Sequence, residues 1–334
     1  MRVLHTPENI AGQASIIAKA QREYGIVADV LVFNQNKFNY NCDIDLSGKS
    51  KGIRYFIRTL NFIKCLFKYD IFHFHFGNSL LPYNVDLPLL KLFGKKIVMH
   101  YWGDDVRQSD IAINYVYFKT LEELQKIYPK KNDNIIRKNI KKVLKYINIS
   151  IVGDYSLLSY SPKSIVIKQA IDLSDFPFVG CRSDTGRLKI VHSPSDRIIK
   201  GTKYVLEAIE KLKKEYIFDF ILVENISNKE ASEIYKAADI IIDQLLFESH
   251  GVLAVECMAL GKPVLCRIDE KIMKYYNGIP VLNTNPENLY DNLKLLLENP
   301  ELRIELGKRG RKYVKEVHDS KKIAQQLIHI YEGL

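Results

Sequence analysis

Apolar positions recur along this chain in two alternating rhythms. Short runs rich in β-branched and aromatic residues read as strands at Arg2–His5, Asp29–Phe33, Ile71–His75, Lys96–His100 and Ile147–Val152. Between them, apolar residues three and four apart predict helices at Gln13–Tyr24, Ile53–Lys68, Leu87–Leu92, Ile111–Ile127 and Asn134–Tyr146. The Leu87–Leu92 helix has Asp86 at its N-cap and Pro88 in its first turn. Ser174–Arg187, with Pro177, Gly180, Ser183, Asp184 and Gly186, reads as a linker. A second alternation follows. Strands fall at Leu188–His192, Phe218–Val223, Asp239–Asp243 and Val264–Cys266, and helices at Lys203–Lys214, Asn228–Ala237, Pro286–Glu298, Pro300–Val317 and Ser320–Tyr331. Such alternation predicts an α/β protein with parallel, doubly wound sheets, and places ligands beyond the carboxyl ends of the strands.

The sharpest stretch is Glu248-Ser249-His250-Gly251-Val252-Leu253-Ala254-Val255-Glu256-Cys257-Met258-Ala259-Leu260-Gly261-Lys262-Pro263. Ile240-Ile241-Ile242 before it is a buried strand by its branched side chains. Gly251 ends the turn, and Val252, Val255, Met258 and Ala259 then share one helical face. Gly261 stands at the C-cap and Pro263 stops the helix. Two carboxylates bracket the turn, Glu248 in the loop and Glu256 within the helix. Between them Gly251, Val252 and Leu253 offer backbone N–H groups at a helix N-terminus, which attracts anions. Amides for a phosphate and carboxylates for hydroxyls suit a sugar nucleotide. Acidic residues near the positive end of a helix also stabilise it unaided, so spacing alone leaves both readings open.

Other strand-end loops carry candidates. Thr6-Pro7-Glu8-Asn9-Ile10-Ala11-Gly12-Gln13 brings Gly12 to a helix N-terminus. His73 and His75 share one face of a strand, either near a cleft or satisfied at the sheet edge. Met99-His100-Tyr101-Trp102-Gly103-Asp104-Asp105-Val106-Arg107 follows a buried strand and holds the single Trp. Ser193-Pro194-Ser195-Asp196-Arg197-Ile198-Ile199-Lys200-Gly201-Thr202 sets Arg197 and Lys200 beside a helix start, where a diphosphate or plain solvent would suit them.

At 334 residues the chain suits two domains, and 47% hydrophobic with 26% charged residues is ordinary globular composition. No run approaches the length of a membrane helix, and the opening Met1-Arg2-Val3-Leu4-His5 reads as a strand rather than a signal peptide. Cys42, Cys65, Cys181, Cys257 and Cys266 show no metal spacing and are odd in number, which favours a reducing, cytoplasmic setting. The net charge of +10 is uneven: residues 1–170 hold 25 Lys and Arg against 14 Asp and Glu, leaving 24 against 25 for the remainder. Its densest parts are Lys49–Lys68 and Lys130–Lys145. In the first, Ile53, Phe56, Ile57, Leu60, Ile63 and Phe67 form a stripe among Lys51, Arg54, Arg58, Lys64 and Lys68. That is either a surface helix with one face in the core or a basic amphipathic contact for an anionic membrane. No nucleic-acid module is evident, so nucleic acid is not expected as a partner.

Glu248 and Glu256 with seven residues between them, Gly251 third after the first, and Ala259-Leu260-Gly261-Lys262-Pro263-Val264 following resemble the E-x7-E signature of retaining glycosyltransferases of family 4. The resemblance spans nearly the whole chain and is strongest from His192 to Cys266. It implies a GT-B fold, with two Rossmann-like doubly wound domains facing a cleft and a C-terminal helix crossing back to the first. The expected division is 1–175 for the acceptor side, 176–317 for the donor domain and 318–334 for the returning helix. The implied reaction moves a hexose from a nucleoside-diphosphate sugar to a saccharide or lipid-linked acceptor with retained configuration. Bacterial cell-surface polysaccharide or lipopolysaccharide synthesis is the expected setting, with the protein cytoplasmic or peripheral on the inner face of the membrane. No cofactor or metal is expected, since Asp43-Ile44-Asp45 lies far from the motif. By resemblance Glu256 holds ribose hydroxyls and Glu248 the transferred sugar. Gly251, Val252, Leu253, Arg197 and Lys200 hold the diphosphate, and Gly12 faces it. Asp105 matches an active-centre Asp. His250 stands where the family often has Phe, which bears on sugar selectivity. Trp102 occupies the slot directly before Gly103, so the catalytic-loop role falls on either His100 or that slot. A front-face mechanism, in which the leaving phosphate accepts the acceptor proton, fits the lack of an evident nucleophile. An epimerase or hydrolase on the same fold, or a scaffold subunit with a degenerate site, is the alternative.

Overall fold

A computed structural model describes residues 1–34, 40–48, 51–117, 124, 133–183 and 187–334, without the side chains of 51–54. The chain divides into two compact units. The first comprises Met1–Gln108, Asn132–Ala170 and Ser320–Leu334; the second comprises Ser109–Lys131 and Ile171–Asp319.

The first unit is built on a sheet of seven strands: β1 (Arg2–Thr6), β2 (Val27–Val32), β3 (Ile44–Asp45), β4 (Ile71–His75), β5 (Lys96–Tyr101), β6 (Ile149–Val152) and β7 (Ile165–Val166). Their order is β3-β2-β1-β4-β5-β6-β7, and every adjacent pair is parallel. Strand order reverses between β1 and β4, the switch point at which doubly wound sheets bind ligands. There His5 stands opposite His73, and His75 opposite His100. Val3, Ile71, Val98 and Ile151 bury one sheet face against Ala14 and Ile17 of the Gln13–Glu23 helix and Ile323 and Leu327 of the Ser320–Glu332 helix. The last helix therefore belongs to the first unit.

The Lys51–Lys68 helix turns Phe62, Cys65 and Leu66 inward. Of the stripe visible in the sequence, Phe56, Leu60, Ile63 and Phe67 face outward instead, Ile57 is half-buried and the Ile53 side chain is not described. Arg58 lies over the ring of Phe33, 3.9 Å from its centroid. Asp86 precedes the Leu87–Leu92 helix as expected but does not cap it. Its carboxylate accepts from the Leu80 N–H and the Ser79 hydroxyl, fastening the preceding loop.

The second unit has five parallel strands: β8 (Leu188–His192), β9 (Phe218–Leu222), β10 (Ile240–Ile242), β11 (Val264–Cys266) and β12 (Leu282–Asn283), ordered β12-β11-β10-β8-β9. Its switch point lies between β8 and β10. Ile190, Ile240 and Ile242 pack on Val205, Ile209 and Leu212 of the Thr202–Leu212 helix and on Leu289, Leu293 and Leu296 of the Leu289–Glu298 helix. The Val252–Leu260 helix lies so close to Pro300–Val317 that a Cβ on Gly307 would stand 2.1 Å from the Gly261 carbonyl oxygen. The stretch read as a linker is tied down. Val179 and Gly180 donate to the Leu260 carbonyl at 2.9 and 3.0 Å, and Arg311 donates to the Phe176 carbonyl; residues 184–186 of that stretch lie outside the described residues. At the start of the expected Ile111–Ile127 helix, Ser109–Ala112 is helical and 113–117 are not; residues 118–123 and 125–132 lie outside the described residues.

Candidate functional site

β10 ends at Ile242 and delivers Asp243 to the switch point of the second sheet. The Arg197–Lys200 turn after β8 delivers Lys200 to the same place. Asp196 caps this turn through the Ile198 and Ile199 amides, and left-handed Gly201 closes it against Leu245 and Leu246. Lys200 Nζ donates to Asp243 Oδ1 at 2.8 Å and to Gln244 Oε1 at 3.0 Å. The Gly251 N–H donates to Asp243 Oδ2 at 2.6 Å. One buried carboxylate thus joins the lysine loop to the start of the Val252–Leu260 helix. Burial alone would raise the Asp243 pKa, but the Lys200 ammonium and the Gly251 amide outweigh it and hold the carboxyl below its ordinary value. A Cβ on Gly251 would lie 2.8 Å from Lys200 Nζ, so only glycine lets the ammonium come this close to the helix end.

This geometry changes the expected anion cradle. The Gly251 amide is already taken by Asp243, which leaves Val252 and Leu253 as first-turn amides without an intrahelical acceptor. Asp243 ends a buried isoleucine run and was not singled out in the sequence. Glu256 sits half-buried one turn along the same helix. Burial, and then the charge of Asp243, push its carboxyl up to about 8. Glu248 is fully buried, and its carbonyl accepts from the Asp269 amide at 2.9 Å. His250 is buried too, its ring edge-on to Tyr276 and 5.8 Å from that of His318. Arg197 is turned to a different partner than expected: its exposed guanidinium makes a fork with Glu224, Nε to Oε1 at 2.8 Å and Nη2 to Oε2 at 2.5 Å. The structure therefore brings together Lys200, Gly251, Val252, Leu253 and Glu256 and leaves Arg197 held aside.

In the first unit, Gly12 begins the Gln13–Glu23 helix with φ of 73°. A Cβ there would lie 2.9 Å from the Tyr40 ring, which accounts for the glycine without a ligand. Asp105 turns back on its own loop, accepting from the Gly103 amide at 2.8 Å and the Trp102 amide at 3.1 Å. Burial raises its carboxyl to about 6 despite those bonds. His100 is wholly buried under the Trp102 ring, 3.9 Å between centroids, and its Nδ1 meets His73 Nε2 at 3.2 Å. Burial lowers its pKa to about 3, so the ring is neutral. Trp102 packs in turn on Gly153, where a Cβ would come within 2.8 Å of the indole.

Comparison with known proteins bears on this arrangement. The family model for glycosyl transferases group 1 matches residues 219–313, which include Asp243, Gly251 and Glu256. An uncharacterised glycosyltransferase of Methanocaldococcus jannaschii is 28% identical over 144 residues, 41% of this chain and 36% of the relative, so the match spans about a third of that protein's length. Among solved structures, sucrose-phosphate synthase from Thermosynechococcus elongatus superposes with a TM-score of 0.70 at 15% identity, covering 100% of this chain and 99% of that one. WaaG, a glycosyltransferase involved in lipopolysaccharide biosynthesis, gives 0.60 at 14% identity with 99% of each chain covered. The two parallel-sheet units have the GT-B fold.

Proposed function

We propose that the chain is a glycosyltransferase that moves a hexose from a nucleoside-diphosphate sugar to a hydroxyl of a saccharide or lipid-linked acceptor. The observation that carries this is the convergence of Lys200, Asp243, Gly251 and the start of the Val252–Leu260 helix at the switch point of the second sheet, with Glu256 one turn on. Such a place offers a cation and unpaired amides to a diphosphate and a carboxylate to ribose hydroxyls. Breaking the anomeric carbon–oxygen bond leaves charge on the departing phosphate, and stabilising that charge is the main task of catalysis. Lys200 and the Val252 and Leu253 amides meet it without a metal, and Arg197 adds to them once it leaves Glu224. Glu248 and His250 serve the transferred sugar. The acceptor oxygen bonds to the same face of the anomeric carbon, and its proton passes to the leaving phosphate, so configuration is retained. Gly12, His100 and Asp105 are the candidates within the first unit. A cell-surface polysaccharide or lipopolysaccharide acceptor and a peripheral seat on an anionic membrane complete the reading.

The test has two steps. A thermal-shift screen over UDP, GDP, ADP and their sugars identifies the donor, since binding to the native state raises the melting temperature. Incubation of that donor with saccharide acceptors then gives a glycoside only in the presence of acceptor. Release or epimerisation of the sugar without acceptor points to a hydrolase or epimerase instead, and no shift with any nucleotide overturns the donor site.

A further inference from the structure

Seven side chains of the first unit form a single hydrogen-bonded sequence at its switch point. Trp102 Nε1 meets His75 Nδ1 at 3.0 Å, His75 Nε2 meets His5 Nδ1 at 3.1 Å, and His5 Nε2 meets Gln21 Oε1 at 2.9 Å. Gln21 Nε2 donates to the Tyr331 hydroxyl at 3.3 Å; that hydroxyl meets His73 Nδ1, and His73 Nε2 meets His100 Nδ1 at 3.2 Å. The histidines, Gln21 and Tyr331 are buried. His100 Nε2, at the end of the sequence, is buried and has no partner among the described residues.

The direction of every bond follows from one residue. An indole N–H can only donate, so His75 Nδ1 must accept. A neutral imidazole has one donor and one acceptor, so His75 Nε2 donates to His5 Nδ1, and His5 Nε2 donates to the Gln21 carbonyl oxygen. The Gln21 amide donates to Tyr331, whose hydroxyl is thereby free to donate to His73 Nδ1. His73 Nε2 then donates to His100 Nδ1. All four rings are Nε2–H tautomers, and the surplus donor emerges at His100 Nε2. His5, His73 and His75 lie close enough for their nitrogens to share a metal, all within 4.8 Å. Trp102 opposes that arrangement: a metal on His75 Nε2 would need a proton on Nδ1, where the indole N–H already points.

We propose that Trp102, His75, His5, Gln21, Tyr331 and His73 are positioning residues that lock His100 as a donor whose Nε2–H bonds an oxygen from outside the chain. Either an ordered water or a sugar hydroxyl supplies that oxygen. The sugar case rests on the sugar-nucleotide reading above; the tautomer chain does not.

The experiment is long-range 1H–15N NMR on the full chain with 15N-labelled histidine, assigned by single His→Gln variants. All four rings should be neutral Nε2–H tautomers at pH 7. Tyr331→Phe deletes the donor to His73 Nδ1, so His73 and His100 should each become tautomer mixtures while His75 and His5 keep theirs. Trp102→Phe, a second variant on the more exposed loop, should release His75 and His5 first. A sharp His100 Nε2–H signal that moves when the sugar nucleotide is added, but not with the nucleoside diphosphate alone, assigns the acceptor to the sugar. A signal present in the free protein and unmoved by either assigns it to water. Where turnover is measurable, Tyr331→Phe should lower kcat about tenfold with KM for the donor unchanged if the sugar is the acceptor. An Nδ1–H tautomer at any of the four wild-type rings, unchanged tautomers in Tyr331→Phe, or stoichiometric zinc bound with a shift of the His5, His73 and His75 nitrogens would each overturn the proposal.

Discussion

Lys200 holds its ammonium 2.8 Å from a carboxylate that water does not reach, whereas Arg197 meets Glu224 in solvent. Removing one partner of a buried pair leaves the other uncompensated, at a cost of about 3–5 kcal/mol, while an exposed pair contributes about 0–1 kcal/mol. Lys200→Ala should therefore lose both stability and turnover, and Arg197→Ala should unfold like the wild type. Adding Asp243→Asn to Lys200→Ala should recover part of the stability without restoring activity. Urea titrations of the four proteins check this; equal midpoints for Lys200→Ala and wild type would show that Asp243 finds another counter-charge. Glu256 supplies a second test. With its carboxyl raised to about 8, the empty site is largely protonated at pH 7. Ribose hydroxyls donate better to the carboxylate, so nucleotide binding should expel the proton. Affinity should then rise with pH, by at most about tenfold per unit, and level off above about 8. Calorimetry in buffers of different ionisation enthalpy reads the proton directly. Glu256→Gln should bind more weakly with no such slope, and a flat wild-type profile would remove Glu256 from the ribose.

Among the elements, strands β4, β8 and β11 and the Leu87–Leu92, Asn228–Ala237 and Pro300–Val317 helices fall where apolar periodicity puts them. Each is a run long or distinctive enough to carry its own signal. β3, β7 and β12 escape because two residues cannot show a period. The turn at Gly251, the helix after it and its stop at Gly261 were legible because their parts are neighbours on one loop and helix. Asp243 with Lys200 was not, since the partners are 43 positions apart, nor was His73 with Tyr331, 258 apart. No local pattern encodes a meeting made by the sheet. Gly307 belongs to the same class: in sequence it is an unremarked glycine inside a helix, yet it is what allows the backbone of Gly261 to lie against it. Alanine is the better helix former by about 1 kcal/mol. Gly310→Ala puts a methyl 3.2 Å from Met258 Cβ and Cγ and 3.3 Å from its Cα, a mild crowding set against that gain, and should destabilise less than Gly307→Ala. Gly307→Ala would drive a methyl into a carbonyl at 2.1 Å and should destabilise by about 1–3 kcal/mol or more. Thermal melts of the two variants separate crowding from propensity; equal melting temperatures would mean the helices part without cost.

At the scale of the molecule, the charge surplus of the first half acquires a location. Phe56 and Phe67 stand 66% and 67% exposed on the Lys51–Lys68 helix, and the Phe67 ring meets Phe93 edge-on at 6.3 Å. Leu89 and Leu92 extend the same apolar ground beside Phe93, with Leu92 79% exposed. The Asp133–Val143 helix borders it: Lys142 donates to the Tyr83 carbonyl, and Lys91 reaches the Lys145 carbonyl at 2.9 Å. Lys138, Lys141 and Lys145, on that helix and just after it, are exposed. Among the described residues no helix is long and apolar enough to cross a membrane. A ridge of aromatic and aliphatic side chains flanked by lysines suits the surface of an anionic bilayer, where each cation contributes about 1 kcal/mol and salt weakens it. The side chains of Lys51, Ile53 and Arg54 lie outside the described residues; Phe56, Phe67 and Leu92 are the exposed part of the ridge. Binding is expected to anionic but not zwitterionic vesicles, falling as salt rises. Lys138→Glu with Lys141→Glu should abolish the preference for anionic lipid. Phe56→Ser, Phe67→Ser and Leu92→Ser together should remove the part of binding that survives high salt, with activity on a short soluble acceptor intact. Equal sedimentation with both vesicle types, or a concentration-dependent dimer that the triple variant abolishes, would assign the ridge to another occupant.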